Sequence, residues 1–132
     1  MNDLKRSGEA IRLLAGGDCV PRDGNYRLLS PVEGKAMLQH LPAVWRIEDQ
    51  GTGKCLQRVY SCSEYTQAAA FTQQVATLAE QVNHHPRLVL EWRQLTVEIN
   101  THAVGGLAIG DFVFAARTEL LGEQLGLTNE PG

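Results

Sequence analysis

An α+β fold, with a four-stranded antiparallel sheet and helices on one of its faces, is what this sequence predicts, and three observations predict it. Residues 64–82 carry apolar side chains at alternating spacings of three and four, the period of a helix with one buried face. Two pairs of short runs with apolar residues at every second position flank that helix, each pair broken by a turn. A capping signature precedes the first pair, and a last apolar segment follows the second. The order helix, two strands, helix, two strands, helix joins neighbouring strands as hairpins, so they pair antiparallel and share one apolar face for the helices.

In chain order, Leu4 to Ala15 can form a short helix ending at Gly16-Gly17, but Leu4, Ile11, Leu13 and Leu14 are few apolar anchors. Residues 1–27 are therefore expected to be an extension, mobile or docked on a partner. Asp18 to Arg27, with Pro21 and an Asp23-Gly24 turn signal, reads as a linker. Ser30-Pro31-Val32-Glu33 opens the first firm helix, Pro31 to about His40: Ser30 accepts from the Glu33 amide, Glu33 reaches back, and Pro31 has the right φ for a first helical turn. Leu38 and Leu41 lie on its inner face, and Pro42 stops it. Trp45 to Glu48 and Lys54 to Tyr60 are strands joined at Gln50-Gly51-Thr52-Gly53.

In the long helix, Ala68, Phe71, Val75, Leu78 and Val82 face the core, and 100° per residue puts Glu80 on the opposite side. Leu88 to Trp92 and Leu95 to Thr101 are the second pair of strands. Their alternation points His102 away from the face of Val97 and Ile99. After Gly105-Gly106 a last helix spans Asp111 to Leu121, within a core domain of residues 28–122. The tail, residues 123–132, is expected to fray, beginning at Gly122. Open sheet edges invite pairing between copies, so a homodimer or tetramer is expected.

The chain has 132 residues, 43% of them hydrophobic, enough for one core. A net charge of −3, with Lys and Arg scattered, argues against nucleic-acid binding. Apolar runs fall well short of the roughly 20 residues of a membrane helix. Cys19, Cys55 and Cys62 are odd in number and lack metal-ligand spacing, and Met1 leads straight into polar sequence, so free thiols and a cytoplasmic location are expected.

Chemistry concentrates in one stretch. His84 and His85 follow the long helix directly, and Pro86 prevents its continuation. The negative end of the helix dipole there favours a protonated imidazole by roughly 0.3–1 kcal/mol. His102 can approach the same place, and histidine is the side chain suited to proton transfer near neutral pH. Three histidines and an acid are also a zinc ligand set, although adjacent His84 and His85 aim poorly at one ion. His40 reads as a surface residue at a helix end.

The pattern Glu80-xxx-His84-His85-Pro86, then Trp92, His102, Gly105-Gly106-Leu107 and Asp111, resembles the signature of the pterin-4a-carbinolamine dehydratases. Leu38-xx-Leu41-Pro42-xx-Trp45 and Val75-Ala76-xx-Ala79-Glu80 extend the resemblance over about residues 30–121. It implies a ββαββα fold with a leading helix, assembled as dimers or tetramers, and loss of water from a 4a-hydroxytetrahydropterin without cofactor or metal. It further implies that His84 and His102 form the acid-base pair, that His85 binds or polarises the pterin edge, and that Glu80 and Asp111 orient imidazoles. Pro86 and Trp92 would line the substrate pocket, with packing the main role of Trp92.

The chain also departs from that pattern. Tyr60, Cys62 and Tyr65 stand where active members often have Phe, Phe and another aromatic, and Ala108 replaces a frequent Thr cap. Losing such a cap typically costs about 1 kcal/mol and brings the seat of Asp111 into question. Cys19-Val20-Pro21-Arg22 keeps one thiol of a Cys-x-x-Cys found in some bacterial members. Because some relatives serve as protein-binding factors, the departures and the extension leave an alternative: a dehydratase-like assembly factor, for example for Rubisco in carboxysomes.

Overall fold

The structure is a computed structural model that describes residues 3–127, with the side chains of the first helix described from Gly8 onward. It holds four helices and one sheet: α1 (Asp3–Ala15), α2 (Pro31–Leu38), β1 (Arg46–Asp49), β2 (Lys54–Ser61), α3 (Tyr65–Val82), β3 (Arg87–Glu91), β4 (Gln94–Ile99) and α4 (Ile109–Gln124). A 3₁₀ turn, His102–Val104, lies before α4. The strands run in the order β1-β2-β4-β3, all antiparallel.

Local chemistry accounts for the elements. The Ser30–Glu33 capping box forms as expected: Glu33 N donates to Ser30 Oγ at 3.1 Å, and Ser30 N donates to Glu33 Oε1 at 2.9 Å. In α3 the predicted face delivers Ala68, Phe71 and Val75 to the core, joined by Ala79. Register sets the sheet's inner face, since Leu56 opposes Ile99, Tyr60 opposes Leu95 and Leu88 opposes Val97. Tyr60 touches Phe71 of α3 edge-on and donates to Glu119 of α4, so both helices cover the same face.

That face contains a buried polar knot. Glu119 accepts from Arg58, Tyr60 and, at 3.0 Å, from Trp45 Nε1, which ties β2 and the start of β1 to α4. Burial first, and then the Glu119 carboxylate, push the Tyr60 hydroxyl well above its ordinary pKa, so it remains a donor. The Tyr60 hydroxyl thus comes with its own acceptor. On the open face, Glu98 accepts from Gln50, Gln57 and Arg87. Burial works against that carboxylate, but the donors together hold its pKa below the ordinary value. Beside it Cys55 is buried, and burial, reinforced by Glu98, pushes its thiol up to about 11.

Four expectations need correction. The extension is no loose arm: Ile11 and Ala15 are buried, and Arg117 of α4 donates to Ala15 O at 2.9 Å and Gly17 O at 2.6 Å. Small residues substitute for large anchors there, because Gly17 lets the chain run against Val113. The last helix starts earlier and runs past Leu121 to Gln124, and Leu125 and Leu127 pack on the core, so a boundary at 122 cuts an element; residues 128–132 of the expected tail lie outside the described residues. Strand β4 ends at Ile99, so His102 is exposed from a 3₁₀ turn rather than by strand alternation. Trp92 does not pack: at the β3–β4 turn it is 72% exposed, with the Arg93 guanidinium over its ring.

Candidate functional site

The end of α3 sets the site. Asn83 adopts the left-handed conformation (φ 54°), and the amides of Asn83 and His84 both donate to Ala79 O. This reversal turns consecutive imidazoles in opposite directions. His84 points inward, 7% exposed, with Nε2 2.7 Å from Asp111 Oδ1. His85 points outward, its Nε2 2.6 Å from Oε1 of Glu80, on the exposed stripe of α3 where helical phase placed it. Two imidazole–carboxylate pairs thus stand side by side, one buried and one in solvent.

Asp111 is completely buried at the first turn of α4. Its Oδ2 accepts from Thr101 Oγ1 and from the amide of Ala108, both at 2.8 Å. The missing Thr cap at Ala108 therefore does not unseat it: Asp111 itself supplies the acid half of the capping arrangement, and Thr101 takes the remaining contact. Thr101 is held by reciprocal backbone bonds with Gly106, 2.8 and 3.4 Å, closing a tight loop. Gly105 turns that loop at φ 65°, a region that favours glycine. His102 follows Thr101 directly and is exposed at the start of the 3₁₀ turn.

Two rings flank His84. Tyr26 stacks at 6.3 Å between centroids, 24° from parallel, and Phe114 meets it edge-on at 6.2 Å. Neither ring, nor Thr101, was among the sequence-predicted site residues. Pro86 is half-buried beside His85. Trp92 is not brought to this corner; six residues along an extended strand from Pro86 is roughly 20 Å. A cleft of about 810 Å³ lies elsewhere, between α2, the β1–β2 hairpin and Gly105-Gly106-Leu107. It contains none of the histidines, so shape and acid-base chemistry do not coincide here. Among the described residues no three His, Cys, Asp or Glu side chains converge as a metal ion requires.

Residues 27–121 match the model of the family described as pterin 4 alpha carbinolamine dehydratase. The chain belongs to this family. A Chlorobaculum tepidum protein that carries a pterin-4-alpha-carbinolamine dehydratase name is 39% identical over 103 residues, 78% of this chain and 92% of that one. A Chlorobium limicola protein with the same name is 42% identical over 118 residues, 89% of this chain and 95% of its own length. The crystal structure of a transcriptional coactivator/pterin dehydratase from Brucella melitensis shares the fold, with a TM-score of 0.65 at 22% identity over 72% of this chain and 98% of that one.

Within the dehydratase family the α+β architecture, ββαββα with a leading helix, is as the sequence predicted. The family region starts after Tyr26, so α1 and the segment that follows it lie outside that region. Among the described residues no helix is long and apolar enough to cross a membrane.

Proposed function

We propose that this chain dehydrates a 4a-hydroxytetrahydropterin, and the observation that carries the reading is the juxtaposition of His84–Asp111 and His85–Glu80 at 2.7 and 2.6 Å. In the reaction the C4a–O bond breaks as the hydroxyl takes a proton and leaves as water. The N5–H proton departs to a base, and its electron pair forms the C4a=N5 bond of quinonoid dihydropterin. One acid and one base suffice, so the protein is asked for positioned proton carriers, worth roughly 10²–10⁴-fold each.

His84 has its Nε2 engaged by Asp111, which leaves Nδ1 as its working atom; the carboxylate fixes the ring's orientation and tautomer. His102, exposed one residue after the Thr101 that binds Asp111, is assigned as the partner of His84 in the acid-base pair. His85, steadied by Glu80, takes the pterin edge, and Pro86 lines the approach. With Trp92 so far from this corner, any contact it makes with substrate would come from another copy of the chain.

Self-association belongs to the same proposal, because β1 and β3 are both sheet edges; sedimentation should show a dimer or tetramer. The assembly-factor alternative drew on Ala108, the altered aromatic strand and the extension. Asp111 is seated without a Thr cap, the Tyr60 hydroxyl has an acceptor, Cys62 is buried, and α1 lies on its own α4. These observations favour the enzyme. Purified protein should accelerate dehydration of the 4a-hydroxypterin released by an aromatic amino acid hydroxylase, and His84→Ala or His102→Ala should remove the effect. No acceleration by the wild-type protein at high concentration would refute the proposal.

A further inference from the structure

The family-matched region begins at residue 27, yet one of the two rings against His84 belongs to Tyr26. The segment that carries it is fastened on both sides. At its start Arg117 holds Ala15 O and Gly17 O, and Cys19 runs so close to α4 that a Cβ on Gly110 would fall 1.9 Å from Cys19 O. At its end Leu29 N donates to Leu107 O at 2.8 Å. Between these points a turn closed by Gly24 N on Pro21 O at 3.0 Å leads to the half-buried Tyr26. The extension thus has a defined delivery: an aromatic ring laid against the buried imidazole.

The two neighbouring histidines differ sharply in exposure. His84 and His85 leave the same helix end, yet the His84 side chain is 7% exposed and that of His85 54%. An imidazole–carboxylate pair shielded from water couples more strongly and reorients less than one in solvent. We propose that Tyr26 is a positioning residue of the reaction, holding the His84 ring in place and keeping water from the His84–Asp111 pair. The kinetic part rests on the dehydratase reading above, while the shielding does not.

Two measurements on the full-length protein test it. Acylation by diethylpyrocarbonate, followed residue by residue by mass spectrometry, should find His84 slower than His85 and His102. Tyr26→Ala should speed His84 at least fivefold while leaving His85 unchanged and the melting midpoint close to wild type; Tyr26→Phe should keep the protection. A wild-type His84 as reactive as His85, or protection that survives Tyr26→Ala, overturns the proposal. In turnover, loss of a ring contact predicts a roughly three- to tenfold fall in kcat for Tyr26→Ala with KM within about twofold, restored by Tyr26→Phe. An unchanged kcat overturns the positioning role. A wild-type protein without turnover sinks the dehydratase reading, and the acylation rates then decide by themselves whether Tyr26 shields the pair.

Discussion

Replacing Asp111 separates the two jobs of the buried carboxylate. In Asp111→Ala three groups lose their partner at once: the Thr101 hydroxyl, the Ala108 amide and His84 Nε2. A buried donor left unsatisfied costs about 1–3 kcal/mol. With partial relief by water, the three together predict a loss of about 3–6 kcal/mol, a large share of the 5–15 kcal/mol typical of a domain. Asp111→Asn is nearly isosteric and behaves differently. Its Oδ1 can still accept from Thr101 and Ala108, which leaves the Nδ2 amide facing His84 Nε2. Two donors cannot share that contact, so His84 must place its proton on Nδ1, the atom required for catalysis, and loses the carboxylate that fixes its tautomer. The expected result is a stability loss of only about 1–2 kcal/mol, together with turnover slowed by roughly two to four orders of magnitude. Urea unfolding measures the first effect and steady-state dehydration the second. An Asp111→Asn protein with wild-type turnover would show that His84 works without its carboxylate, and an Asp111→Ala protein of wild-type stability would refute the account of the site's packing.

Three further outcomes follow from other parts of the molecule. Glu119→Leu removes the buried acceptor that Arg58, Tyr60 and Trp45 share and should cost about 3–5 kcal/mol in urea unfolding; a loss under about 1 kcal/mol would mean the knot contributes little. Gly110→Ala forces a methyl into Cys19 O, so the segment 16–29 should lift from α4, read as faster amide exchange there than in wild type; unchanged exchange argues against the close approach. Glu98 has a folded pKa below its ordinary value, so its contribution to stability is present above that ordinary value, about 4.3, and is lost as pH falls through the folded one. Glu98→Gln should therefore lower stability at pH 7 and flatten the decline below about pH 4.5, and an acid limb as steep as wild type would count against the network.

What could be read from the sequence depended on how local the cause was. The Ser30–Glu33 box and α3 were legible because a cap spans one turn and a helical face repeats through five apolar residues. Glu80 was placed correctly by phase, and its partner His85 is five positions away, across the helix end. His84 and Asp111 are 27 positions apart, and only the family's spacing suggested their association. Thr101 had a usable signal, since alternation puts it on the inward face with Val97 and Ile99. Tyr26 had none: its contact exists because α1 docks on α4, and that docking relies on Gly17, Ala15 and Arg117 rather than on large apolar residues. Trp92 misled for the opposite reason, a large ring taken as core that a two-residue hairpin turn carries into solvent.

The close passage of Cys19 over Gly110 bears on where this protein can be cut. Gly110 adjoins Asp111, so one side of the first turn of α4 meets the extension while Asp111 meets His84. A recombinant product trimmed to the family boundary at residue 27 would keep every signature residue, yet expose the groove that Cys19 fills and strip the cover from His84. Its turnover would then describe a fragment with a loosened floor. In this chain the packed unit is longer than the family-matched region, and comparison with shorter relatives should keep the segment that Arg117 fastens to α4.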